Sequence, residues 1–152
     1  MERTLKKLRL LCPGLIFTAD NVCRWSPANR TVYFIQGNDE RHIWSLLHET
    51  GHAQLGHNTY ESDIELLHME TAAWEQAKEV ARALQMIIDE EHVQNCLDTY
   101  RNWLFARSTC PKCLSASLQT SAQQYQCLNC KTIWRVSRSR FCRIYRATLA
   151  AL

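Results

Sequence analysis

An α+β chain is what this sequence predicts, and three observations predict it. The run Thr31-Val32-Tyr33-Phe34-Ile35, dense in β-branched and aromatic residues, reads as a strand, with Leu15-Ile16-Phe17-Thr18 as a second extended stretch before it. From about residue 39 to 106, apolar side chains recur every three or four positions, which is the period of helices. Beyond them Cys110-x-x-Cys113 and Cys127-x-x-Cys130 bracket a segment with strand-like alternation. At 152 residues the chain is long enough for one compact domain and a small appendix.

Taken in order, residues 2 to 11 predict a short basic helix with Leu5, Leu8 and either Leu11 or Cys12 on one side, broken by Pro13-Gly14. The two strands follow, separated by a polar loop containing Ser26-Pro27-Ala28-Asn29. A strand placed just before a metal-binding helix is positioned to line a cleft and pair with substrate backbone, so Thr31 to Ile35 is a candidate for that as well as for the core. Asp39 and Glu40 put negative charge where a helix N-terminus favours it, and Gly56 offers a stop, giving a helix from about Asp39 to Leu55. A long helix from about Ser62 to Asp89 and a third from Glu90 to Ala106 complete the helical part. Leu118 to Trp134 predicts a small hairpin, and Ser137 to Arg146 reads as a basic tail with interleaved aromatics.

Net charge hides a partition. Residues 1 to 36 carry +4, residues 37 to 98 carry −10, and residues 99 to 152 carry +9 with no carboxylate at all. A final third of one sign suits an anionic partner such as nucleic acid, or docking against the acidic middle. Tyr125 and Trp134 beside the cysteines, with Lys112, Lys131 and Arg135, are candidates to stack on and neutralise nucleic acid, or else to form the small core of their own module. The basic N-terminal run is interrupted by Arg9 and Pro13-Gly14, which makes a poor signal peptide, and nothing approaches the roughly eighteen apolar residues of a membrane span. The expectation is a cytoplasmic protein without a membrane partner. In that setting two Cys-x-x-Cys knuckles predict a closed tetrahedral zinc site of Cys110, Cys113, Cys127 and Cys130, structural because four thiolates leave no open position. Cys12, Cys23, Cys96 and Cys142 read as small buried hydrophobes.

The sharpest signal is His48-Glu49-Thr50-Gly51-His52. Two histidines four apart on a helix project from one face, so both imidazoles converge on one zinc ion while Glu49 faces its water. Imidazole ligates zinc at neutral pH, and the carboxylate is the general base that takes a proton as water becomes the nucleophile. The pattern predicts a small zincin domain of minimal gluzincin-like form, with short strands preceding the HExxH helix, over residues 1–107. A zinc ribbon over 108–136 and a basic tail over 137–152 follow. Two zinc ions per chain are expected, one catalytic and one structural.

A catalytic zinc takes three protein ligands. The long helix has an apolar stripe at Leu66, Ala73, Ala77, Ala81, Leu84 and Ile88, and Glu70 falls on it, where a carboxylate is costly unless paired or metal-bound. Glu70 is thus the leading third ligand beside His48 and His52, with His68 and His57 as alternatives. His57 is otherwise a candidate to stabilise an oxyanion or to cap the helix end. Asp63 is a candidate to hold a ligand histidine in its tautomer. Glu75 lies off the buried face, and Leu55 and Asn58 stand where HExxHxxGxxH would need glycine and histidine.

The run from His48 to His57, followed by Glu70-Thr71-Ala72-Ala73, resembles the ImmA/IrrE-type metallopeptidases, which have an HExGH-x-x-LGH helix and a downstream glutamate in an E-x-x-A setting. The resemblance covers roughly residues 15 to 90. It implies that His48, His52 and Glu70 ligate zinc, that Glu49 is the base, and that the substrate is a protein, often a transcriptional repressor. The Phe-Ala and Leu-Met-Pro run usual after the glutamate is replaced here by Trp74-Glu75-Gln76-Ala77. In its order of parts, an HExxH domain before a four-cysteine ribbon and a basic end, the chain is also similar to SprT-like proteases, which act on DNA-attached proteins. They use a later histidine as third ligand, a role only His68 is placed to fill. A third alternative is a zinc-stabilised adaptor or DNA-binding regulator without turnover.

Overall fold

The computed structural model describes residues 1–137, 140 and 143–149. Among them the chain is α+β, with four helices and two small sheets. It divides into two compact units, Met1–Thr59 with His68–Val93, and Tyr60–Leu67 with Gln94–Leu152. None of the helices formed by the described residues is long and apolar enough to cross a membrane.

The first unit opens with α1 (Glu2–Leu11), which buries Leu5 and Leu8, followed by β1 (Ile16–Ala19), β2 (Arg24–Ser26) and β3 (Thr31–Phe34). The strand order is β1-β3-β2, with β1 parallel and β2 antiparallel to β3. β3 is therefore the central strand, with Val32 fully buried and Phe34 nearly so. Its ladder bonds are taken on both sides, so Thr31–Ile35 does not offer an edge to substrate backbone, contrary to one expectation for it. The edges belong to β1 and β2, and β2 lies in the stretch read as a polar loop and is too short at three residues to show a period.

α2 (Glu40–Gln54) starts where the acidic pair predicted: Asp39 is the N-cap, its carboxylate accepting from the Arg41 N–H at 2.9 Å. It stops at Gly56, whose φ of +66° is the left-handed turn glycine adopts without strain, and the His57 N–H then bonds back to the His52 carbonyl. α3 (Asp63–Ala83) is shorter than the periodicity suggested. Gln85 takes φ +60° and the Met86 N–H reaches the Ala81 carbonyl at 2.8 Å, closing the helix six residues before Asp89 without a glycine. Glu75 is exposed and paired with Lys78 at 2.8 Å.

The second unit holds most of α4 (Glu90–Ser108) and an antiparallel sheet of β4 (Leu118–Ser121), β5 (Gln124–Gln126), β6 (Ile133–Val136) and β7 (Arg146–Thr148). β7 lies within the expected basic tail; Arg138, Ser139, Phe141 and Cys142 of that tail fall outside the described residues. Tyr125 and Trp134, expected either as nucleic-acid platforms or as the module's own core, are buried at 1% and 0% exposure and stack on each other with ring centroids 5.7 Å apart. With Cys110, Cys127 and Val136 they are the core of this small unit, and they present no face to a base. Cys12 is buried as expected, while Cys23 and Cys96 are half-buried.

Candidate metal centres

His48 and His52 sit one turn apart on the buried side of α2, and Glu70 meets them from the buried side of α3. Close approach of the two helices depends on Gly51. A Cβ there would lie 2.4 Å from the Ala73 carbonyl oxygen, so only glycine fits between the histidines. His48 Nε2 is 3.1 Å from Glu70 Oε2 and 3.1 Å from His52 Nε2, and His52 Nε2 is 3.6 Å from Glu70 Oε1. Tetrahedral zinc with bonds near 2.0–2.1 Å has ligand–ligand edges of about 3.4 Å, so these three donors fit three corners of such a site. A nitrogen pair and a carboxylate converging in a buried spot are also what a cation stabilises and what would otherwise repel. Burial alone would raise the Glu70 carboxyl, but hydrogen bonds from His48 and His52 pull it down to about 2, which keeps it an anionic donor.

His68, the alternative ligand, is exposed on α3 and stands outside this group. His57 is also outside the donor triad, but its Nδ1 lies 2.8 Å from His52 Nδ1. With a metal on His52 Nε2, the proton of His52 would belong on Nδ1 and His57 would be the acceptor that fixes this tautomer. Burial lowers the His57 pKa, and the neighbouring His52 lowers it further, which favours the neutral ring that can accept. Asp63, expected near a ligand histidine, is engaged elsewhere: its carboxylate accepts from Arg107 at 2.5 and 3.1 Å and from the Tyr125 hydroxyl at 2.5 Å. Arg107 is 1% exposed, and an uncompensated guanidinium at that depth would be far costlier than the pair.

Glu49 follows His48 but is not one of the three converging donors. Its Oε2 accepts from the Trp25 backbone N–H at 2.8 Å, and burial raises its pKa, opposed by the charges of His48 and His52. A carboxylate with raised basicity beside a metal site is suited to taking and returning a proton. Trp25 was not legible as a site residue. It lies on β2 with its N–H turned away from β3, and its indole N–H donates to the His57 carbonyl at 2.8 Å, so one edge residue holds both the candidate base and the loop carrying His57. Trp74 was missed too: it stacks on His48 with centroids 4.3 Å apart, covering a face of that imidazole with an apolar ring.

The second donor group is Cys110, Cys113, Cys127 and Cys130. Cys110 Sγ is 3.6 Å from Cys130 Sγ, and Cys113 Sγ is 3.5 Å from Cys127 Sγ. Zinc–thiolate bonds near 2.3 Å imply edges of about 3.8 Å, so all four corners fit. The Ser115 hydroxyl, followed by the Ser115 backbone, lowers the Cys113 thiol to about 5, toward the thiolate a metal takes. Each knuckle closes on a left-handed residue, Leu114 at φ +62° and Lys131 at φ +60°, whose N–H groups bond back to the Cys110 and Cys127 carbonyls. The arrangement is compatible with a zinc ribbon.

Compared with protein-family models, curated proteins and solved structures, the chain matches none.

Proposed function

We propose that this chain is a zinc-dependent endopeptidase of the zincin class, acting on a protein substrate. The observation that carries the reading is the division of labour around α2: His48, His52 and Glu70 converge, while Glu49, buried and raised in basicity, stands beside them and outside their group. A purely structural site has no use for such a carboxylate. Zinc held by the triad supplies Lewis acidity to a water molecule and to the scissile carbonyl. Glu49 takes the proton from the attacking water and returns it to the leaving amine, so the peptide bond breaks with no net proton change. His57 holds His52 in its metal-binding tautomer, and Trp74 keeps the His48 ring in place and excludes water from its face. The resemblance to ImmA/IrrE-type enzymes makes a transcriptional regulator the substrate class of choice, and the four-cysteine module holds the second zinc ion as a structural element.

Native mass spectrometry of the intact chain tests the metal, and cleavage of a cognate protein, found by comparing cellular N-termini with and without the active chain, tests the chemistry. Two zinc ions are expected in the wild type and one in His48→Ala. Glu49→Gln should keep both ions and lose about 10²- to 10⁴-fold in turnover. A single ion in the wild type, held by the cysteines, would leave an adaptor in place of an enzyme, and undiminished cleavage by Glu49→Gln would remove the mechanism.

A further inference from the structure

The sheet of the second unit has two faces of opposite character. On one, Tyr125 and Trp134 pair across β5 and β6 and are buried. Residues on the other face follow from the register: Gln124, Arg135 and Ala147 form one cross-strand row, and Leu118, Gln126 and Ile133 the next. The Leu149 N–H bonds to the Ile133 carbonyl and extends that second row, while the Ser137 N–H bonds to the Tyr145 carbonyl, two residues before Ala147. Tyr145 is 64% exposed, Leu118 59%, Leu149 37%, and Arg135 is exposed as well. This face is thus a platform of one aromatic ring and several aliphatic side chains with amides and a guanidinium set among them.

We infer that this open face binds single-stranded nucleic acid, with Tyr145 stacking on a base and Arg135 neutralising the backbone beside it. Charge selects the occupant. From residue 99 to the end of the sequence there is no Asp or Glu, and among the described residues the side chains of Lys112, Lys131, Arg135 and Arg143 have no ion-pair or hydrogen-bond partner. A protein partner of ordinary composition needs an apolar patch without such a field, whereas a nucleic-acid strand needs both the charge and the ring. Gln124 and Gln126, half-buried on the face, offer donors and acceptors to base edges, which in a duplex are withdrawn into a groove that the face of a four-stranded sheet does not enter.

The test uses the full chain loaded with zinc and a fluorescein-labelled oligo-dT strand of about fifteen nucleotides, read by anisotropy in about 0.1 M salt. A duplex of equal length and poly-L-glutamate serve as competitors. The expected result is binding of the strand at least about tenfold tighter than the duplex, with poly-L-glutamate a poor competitor. Tyr145→Ala should weaken binding about tenfold or more with an unchanged salt slope, and Tyr145→Phe should bind as the wild type does. Arg135→Glu should weaken binding and lower the salt slope by about one or more. Both side chains are exposed, so metal content and thiol protection of the variants should match the wild type. No binding, equal competition by duplex or poly-L-glutamate, or unchanged affinity in both Tyr145→Ala and Arg135→Glu would each overturn the assignment. None of these outcomes depends on whether the chain is a peptidase.

Discussion

His48, His52 and Glu70 are carried by two helices of 15 and 21 residues, whose backbones hold their shape through their own hydrogen bonds. Cys110 and Cys113 are carried by a tight turn between α4 and β4, and Cys127 and Cys130 by one between β5 and β6, strands of three or four residues. In the first group the fold presents the donors, whereas in the second a bound metal would be needed to hold the fold around them. A tetrahedral ion on the first group would keep one corner open with the Glu49 carboxylate beside it, whereas one on the second would have all four corners filled by thiolates. An open and a closed metal site can therefore be told apart by what supports them as well as by ligand count.

The comparison breaks most visibly at the cysteines. Structural zinc binding contributes on the order of 10–16 kcal/mol in small metal-organised modules, far more than a core of Tyr125, Trp134 and Val136 can supply. Cys127→Ala is expected to unfold the sheet: amide exchange should lose its protection across residues 109–136, while native mass spectrometry still finds one zinc on the first group. His48→Ala should do the reverse, losing one zinc and leaving exchange in the sheet unchanged. Full protection in metal-free Cys127→Ala would mean that the module folds on its apolar core alone.

A smaller effect sharpens the same contrast, because the second unit has a polar framework of its own. Asp63 holds the Arg107 guanidinium and the Tyr125 hydroxyl, the Trp134 indole N–H donates to the Arg107 carbonyl at 3.0 Å, and Arg107 also donates to the Ser137 carbonyl. Removing one partner of a buried pair costs about 3–5 kcal/mol because it strands the other charge. Asp63→Ala should show that loss in urea unfolding, and zinc affinity of the histidine group should stay at its wild-type value. A loss below about 1 kcal/mol would mean that water reaches Arg107 and that the metal alone organises the unit.

How far the sequence disclosed these sites follows from the distance over which each signal acts. The histidine pair, Glu49 and the face of Glu70 are helix-periodic facts, and the helix that carries the pair has its caps, Asp39 and Gly56, in the sequence. The cysteine pairs are likewise local. What stayed hidden depends on partners far along the chain. Asp63 looked like a helper to the histidines because charge alone does not say that Arg107, 44 residues on, takes it. Tyr125 and Trp134 stayed open between stacking platform and small core because strand alternation does not say which face is covered. β2 and Trp25 were invisible because three residues carry no period, and α3 ended early at a glutamine in a conformation that usually announces itself with glycine.

The finest distinction between the two sites concerns what lies behind the donors. In the histidine group, His57 Nδ1 lies 2.8 Å from His52 Nδ1, where it can accept once a metal takes Nε2, and it is placed by the Gly56 turn and by Trp25 binding its carbonyl. Losing such an acceptor typically weakens metal binding by 10- to 100-fold, about 1.4–2.7 kcal/mol, because the ligand ring is freed to rotate and to change tautomer. His57→Ala is expected to weaken zinc at this group by about that factor in competition with a fluorescent chelator, with no change at the cysteines. His57→Gln, which retains an acceptor oxygen, should recover part of the loss. Because Trp74 stacks on His48, its fluorescence reports occupancy of this group in the same titration. If His57→Ala binds zinc as tightly as the wild type, His52 is held by the packing of α2 alone, and the pattern of histidine five residues after the motif has a use other than orienting the metal ligand.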